Sequence, residues 1–222
     1  MQVQNWMSSA LVTVEENTPI IKVKKIMEDK GIRHIAVTRG GRLVGMITDQ
    51  DLIKASPSRS TTLKAHELYH LLAETKAKDI MNPSPVTIRP DQTIEVAAVK
   101  MLEHRTSGVP VVTAQGDLLG MITQGDVFKV LISITGIYQG GVQFAFNLED
   151  RPGSIKEVAD VIREEGGRMV SIFSTSTTAD EGYRNVFIRI KKLPEENLQN
   201  LIKKLEKRFM LLYKVKDPME EI

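Results

Sequence analysis

The 222-residue chain contains no cysteine. Disulfide stapling and thiol nucleophiles are therefore excluded, and the absence fits a reducing compartment such as the cytoplasm. Aromatic residues are scarce at 5%, and Trp6 is the single tryptophan, expected to anchor the N-terminal segment on the core. Net charge is nearly absent: 30 Lys and Arg against 28 Asp and Glu give +2. That balance argues against a dedicated nucleic-acid binder, which concentrates basic residues on one face. No apolar run approaches the ~18 residues of a membrane span. Glu15 and Glu16 interrupt the N-terminal region early, so no secretory leader is expected. What is present is enough apolar residue, 41%, to bury a core in one large domain or two to three small ones.

The chain writes one phrase twice, "GMITDQD" from Gly45 and "GMITQGD" from Gly120. The phrase closes a longer repeat in which Val12 matches Val86, Thr13 matches Thr87, Ile20 matches Ile94 and Met27 matches Met101. Such self-similarity decides the architecture before anything else. Each copy reads as a short strand, then a helix with Ile20, Val23 and Met27, or Ile94, Ala98 and Met101, at helical spacing. Gly31 fits the left-handed residue that follows the first helix. A strand, a Gly-containing hairpin turn, a second strand and a final helix complete a β-α-β-β-α unit. Neither unit is large enough to be stable alone, so the two are expected to pack sheet to sheet. Met27, Met46, Met101 and Met121 recur in the repeat as gap-filling core residues.

Residues 57–79 read as a bridge that becomes helical. Beyond Gly140 and Gly141 a third pattern begins: a strand, the turn "EDRPG", and a helix with Ile155, Val158, Ala159 and Ile162 on one face. Two strands follow, then a helix opened by Pro194 with Leu198, Leu201, Ile202 and Leu205 inward, and a closing strand. This β-α-β-β-α-β order is the ferredoxin-like, split βαβ arrangement. The expected fold class is α+β, with boundaries at 1–56, 57–79, 80–135 and 141–216.

The repeated phrase has two readings. In one it is a pair of capping boxes, with Thr as N-cap and an acidic residue three positions on. In the other the same helix start faces a ligand: free N–H groups and the positive dipole end suit phosphate, and the Asp accepts from ribose hydroxyls.

The duplicated unit with its terminal "GMITxxD" resembles a tandem pair of CBS domains over residues 6 to about 134. The resemblance implies that Thr48 and Asp51, and Thr123 and Asp126, contact the phosphate and ribose of an adenine nucleotide or related adenosyl compound. It carries the adenine-side contacts onto residues 33–37 and 107–111, with Thr13 and Thr87 on the leading strands. The expected nucleotide-binding residues are thus Thr13, Arg33, His34, Ile35, Thr48 and Asp51 in site one, and Thr87, Ser107, Gly108, Val109, Thr123 and Asp126 in site two. Arg33 and His34 are cations that would favour an anionic ligand in site one. His104 and Arg105 are expected to point outward from a helix end.

The third unit, residues 141–216, resembles an ACT domain through "EDRPGSIKEVADVIREEG". That resemblance places an amino acid or similar small effector at Asp150, Arg151, Pro152, Gly153 and Ser154. One departure counts against an amino acid: Leu148 stands where some amino-acid-binding members have His. The order of a CBS pair followed by one ACT domain resembles the acetoin-utilization accessory family.

"HELYH" at His66, Glu67 and His70 fits a zinc-peptidase motif, with two His on one helical face and a Glu to activate water. A catalytic zinc also needs a third protein ligand, and the rest of the chain reads as binding modules. No catalytic residue, metal or required cofactor is therefore expected. The chain reads as a cytoplasmic regulatory homodimer that senses an adenine nucleotide and controls an unidentified partner protein. The alternatives are a ligand-free scaffold and, remotely, a zinc hydrolase.

Overall fold

The computed structural model describes residues 1–55 and 73–217. The chain divides into two compact units, Met1–Val127 and Phe128–Ile222.

In the first unit, the first copy of the repeat forms strand β1 (Thr13–Glu15), helix α1 (Ile20–Lys30), the hairpin of β2 (His34–Arg39) and β3 (Arg42–Thr48), and helix α2 (Asp49–Ala55). β1 runs parallel to β2, and β2 antiparallel to β3. A short helix α3 (Ala77–Ile80) leads into the second copy: helix α4 (Ile94–Glu103), the antiparallel hairpin of β4 (Gly108–Val112) and β5 (Leu118–Thr123), and helix α5 (Gln124–Thr135). The division between the units falls inside α5. The strand expected at residues 86–88 shrinks to one parallel bridge, Ile88 to Val111. Pro85 and Pro90 bracket it, and proline cannot donate to a ladder.

Helix α1 buries Ile20, Val23 and Met27 as its spacing predicts. Helix α4 buries Ile94, Ala97 and Met101, so Ala97 rather than Ala98 faces the core. Ile35, Val37 and Ile47 pack with α1 in the first copy's core. Ala36, Met46 and Met121 form a cluster shared by the two hairpins. Val3, fully buried, fixes the N-terminal segment. The tryptophan expected in that role, Trp6, is only half-buried.

The two copies are interlocked by their leading segments. Asn82 precedes the second copy yet pairs with Met46 of β3 in the first, through N–H···O bonds of 3.0 and 2.8 Å. Ser8 precedes the first copy yet pairs with Met121 of β5 in the second, at 2.9 and 3.0 Å. The exchange recurs at the helix starts. The Ala77 amide donates to the Thr18 carbonyl at 2.8 Å, and the Val3 amide donates to the Gln92 carbonyl at 2.8 Å.

This crossing accounts for the glycine of the repeated phrase. A methyl group on Gly45 would lie 2.9 Å from the Asn82 carbonyl oxygen, and one on Gly120 would lie 2.8 Å from that of Ser8. Glycine within a strand marks such a close backbone approach.

The second unit contains β6 (Val142–Glu149), helix α6 (Ser154–Glu164), β7 (Met169–Thr175), β8 (Tyr183–Ile190), helix α7 (Glu195–Arg208) and β9 (Met210–Lys216). Its sheet order is β7-β8-β6-β9 with every neighbour antiparallel. That is the ferredoxin-like βαββαβ topology, so the fold is α+β. The α7 residues Leu198, Leu201, Ile202 and Leu205 are buried as expected, and on α6 Val161 is buried where Ala159 was expected. Arg189 on β8 and Asp217, just after β9, form a buried pair at 3.3 Å, 5% and 8% exposed. The Arg189 guanidinium also donates to Gln143 Oε1 at 2.9 Å and to the Thr135 carbonyl at 3.3 Å. Charges so far from water persist only when paired and hydrogen-bonded.

Candidate functional site

At both ends of the hairpins the repeated phrase forms a reciprocal cap. Asp51 Oδ2 accepts from the Thr48 amide at 2.9 Å and from its hydroxyl at 2.7 Å, and Thr48 Oγ1 accepts from the Asp51 amide at 3.3 Å. Asp126 and Thr123 repeat the arrangement at 3.0, 2.7 and 3.3 Å. Such caps satisfy helix donors that lack an intrahelical partner. Both carboxylate bonds of the first cap fall on Asp51 Oδ2, so the cap itself does not engage Asp51 Oδ1.

The turn of the first copy opens onto a cleft of about 520 Å³. Its walls combine both copies: His34, Met46, Thr48, Asp49, Asp51 and Lys54 from the first, and Asn82, Val86, His104, Arg105, Ser107 and Gly108 from the second. The segment carrying Asn82 and Val86 reaches it through the exchanged pairing with β3. The cleft therefore joins three of the six residues expected in site one with two of the six expected in site two. His34, Thr48 and Asp51 meet Ser107 and Gly108, whereas Thr123 and Asp126 do not line it. Ile35 and Val109 are fully buried in the core rather than serving as walls. Thr13 and Arg33 are exposed outside the lining, where the Arg33 carbonyl accepts from the Asp49 amide at 3.1 Å. The Thr87 carbonyl accepts from Lys100 Nζ at 3.0 Å, and the neighbouring Val86 lines the cleft instead.

His34 does not act as the cation expected of it. Burial pushes its imidazole below the ordinary histidine range, against the opposing pull of the Asp49 carboxylate. Its Nε2 shares a 3.1 Å hydrogen bond with Ser107 Oγ. A methyl group on Gly108 would stand 3.0 Å from the His34 ring, a tight contact that the ring would have to relieve by a small shift. Among the described residues the Lys and Arg side chains of the lining are Lys54 and Arg105. His104 and Arg105, expected to point away, both line it.

Arg105 occupies an unusual backbone position. Helix α1 ends at Gly31 with φ +61°, and the Ile32 amide bonds the Met27 carbonyl at 3.0 Å. Helix α4 ends the same way, with the Thr106 amide on the Met101 carbonyl at 3.0 Å and Arg105 at φ +51°. Both are Schellman closures, which favour glycine in the left-handed position. Arg105 is the only non-glycine with positive φ among the described residues, and a side chain there costs roughly 1–2 kcal/mol.

In the second unit the expected effector residues scatter. Asp150 Oδ1 pairs with Arg184 Nε at 3.0 Å. The Arg151 fork is engaged by Glu149 at 2.9 Å and by Glu157 at 2.8 and 3.1 Å. Gly153 takes a left-handed φ of +91° at the start of α6, and Ser154 is buried behind it. A cleft of about 280 Å³ is lined by Arg151 and Ser154 together with Leu148, but not by Asp150, Pro152 or Gly153. The motif at His66, Glu67 and His70 lies outside the described residues. Among the described residues no group of three or more His, Cys, Asp or Glu could hold a metal ion, and no helix is long and apolar enough to cross a membrane.

Comparison with known proteins places this geometry. The CBS domain model matches residues 3–58 and 77–133, just over half of the chain. A CBS domain-containing protein of Dictyostelium discoideum is 31% identical over 133 residues, 60% of this chain and 92% of that protein. The structure of CBSX2 in complex with AMP, a protein of Arabidopsis thaliana, is 28% identical and covers 60% of this chain and 97% of its own, with a TM-score of 0.51. A structure described as an acetoin utilization protein (AcuB) from Vibrio cholerae shares the fold at 24% identity, covering 62% of this chain and 94% of its own, with a TM-score of 0.52. The interlocked repeat of the first unit is a tandem CBS pair, and the chain belongs to the CBS-domain family.

Proposed function

We propose that the chain is a regulatory sensor that binds an adenine nucleotide or related adenosyl compound in the cleft between its CBS repeats. The observation that carries this is the meeting of the Thr48–Asp51 turn with Ser107 and Gly108 across about 520 Å³, a volume within the roughly 300–1,000 Å³ of small-molecule sites. Asp51 Oδ1, which the cap does not engage, suits ribose hydroxyls, and Met46, Val86 and Pro85 offer apolar surface to a base. The AMP complex of CBSX2, a family member, supports the same ligand class. Because the walls come from both repeats, a bound ligand would favour one arrangement of the pair over others, and regulation would follow by population shift. The second unit we read as an ACT-like effector module in a homodimer that acts on a partner protein. The acetoin connection rests on resemblance alone.

The test is a thermal-shift and calorimetric series with AMP, ATP and S-adenosylmethionine on wild type and Asp51→Ala, each variant compared with its own unliganded midpoint. A ligand at about 100 times its Kd adds ~2.7 kcal/mol, a shift of several degrees at this length. Binding lost in Asp51→Ala supports the reading. Absence of binding by every adenine compound would overturn it and leave the caps as purely structural parts of a scaffold.

A further inference from the structure

Resting on that cleft but reaching beyond it, the geometry points to Arg105 as an anion subsite that makes the cleft select phosphate-bearing ligands over uncharged or cationic adenosyl compounds. Three observations converge. The backbone of Arg105 is held at φ +51° in a closure where the duplicate copy has Gly31 at φ +61°. Left-handed residues other than glycine are uncommon and cluster at functional sites. The two closures share the same 3.0 Å amide–carbonyl bond, so the second copy keeps the geometry while giving up the residue best suited to it.

Arg105 also lines the cleft. Among the described residues its guanidinium has no ion pair or hydrogen bond, unlike those of Arg39, Arg89, Arg151 and Arg184. Lys54 lines the same cleft and is likewise without an ion-pair partner among the described residues. With burial disfavouring the His34 cation and Asp51 placed for a sugar, these two are the Lys and Arg side chains that, among the described residues, the cleft offers a phosphate. A planar guanidinium fork matches phosphate oxygens bidentately.

The experiment is Arg105→Gly, which restores the residue of the first copy, with Arg105→Lys beside it. Binding of AMP, adenosine and inorganic pyrophosphate is measured by calorimetry, and the unliganded midpoint by calorimetric unfolding. Relief of the left-handed strain should raise the Arg105→Gly midpoint by about 2–8 °C. The same variant should bind AMP at least tenfold more weakly, lose pyrophosphate, and leave adenosine unchanged. Arg105→Lys should fall between the two on AMP. Unchanged AMP and pyrophosphate affinity in Arg105→Gly would overturn the inference, as would a wild-type protein that binds neither. Pyrophosphate bound through Arg105 without any adenine compound would leave the subsite standing and remove the nucleotide reading instead.

Discussion

Two glycines of one seven-residue phrase should respond oppositely to the same substitution. A methyl group at Gly120 would lie 2.8 Å from the Ser8 carbonyl oxygen and 2.7 Å from Met7 Sδ. The sulfur can swing aside, but the carbonyl is held by its 3.0 Å bond from the Met121 amide. Relief therefore requires the exchanged segment to move off β5. Overpacking of this kind costs about 1–3 kcal/mol, and roughly 2–4 °C of midpoint follows per kcal/mol at this chain length. Gly120→Ala should lower the unfolding midpoint by several degrees, and Gly45→Ala should do the same against Asn82. At Gly125, in the first turn of α5, the added carbon meets only Thr123 Oγ1 at 3.6 Å, an ordinary contact without a positive φ. Gly125→Ala removes unfolded-chain freedom and should gain about 0.4–1 kcal/mol. Thermal and urea unfolding, both followed by circular dichroism, measure all three. The argument fails if Gly120→Ala matches wild type, or if Gly125→Ala is the more damaging change.

Asp126→Ala and Asp51→Ala each remove a cap and should each lower stability by about 1 kcal/mol in urea unfolding. Only Asp51→Ala should also affect binding in the described cleft. His34 has a folded-state pKa below its unfolded value, so the unfolded chain takes up its proton first and stability falls as pH drops through the region just below 6.5. His34→Gln should flatten that part of the stability-versus-pH curve, and an unchanged slope would contradict the burial argument. Asp217→Ala leaves the buried Arg189 charge without its carboxylate partner and should cost about 3–5 kcal/mol. Hydrogen exchange should place that loss in the second unit, at the amides of β6 and β8.

Apart from the strand expected at residues 86–88, the element order described in both units was legible because periodicity and turn residues are local signals. The pattern Leu198, Leu201, Ile202 and Leu205 fixes a helix face without reference to anything outside α7. The interlock was not legible in the same way. Met7–Ser8 and Met81–Asn82 precede different copies, and the two hairpins offer nearly the same acceptor edge, so sequence alone does not say which segment docks where. The glycine of "GMIT" was the available sign, since an apolar strand that places glycine at the same position in both copies asks for a close approach. The cleft was half legible. Thr48 and Asp51 stood out through repetition, but His34 changes role through burial, which its neighbours in sequence do not reveal. Arg105 could have been found by laying the second copy on the first, where it falls on Gly31.

The exchanged leading segments mean that the pair has the construction of a dimer whose two members share one backbone. Each repeat carries a docking segment together with the groove that accepts the other's, so a repeat released on its own would recruit a second molecule to complete its sheet. Joining the two in one chain fixes their ratio. It also frees the halves to differ, which identical subunits on a symmetry axis cannot do. A glycine closure on one side and an arginine closure on the other, together with a histidine facing a glycine across the centre, are differences that a single gene product assembling with itself could never encode.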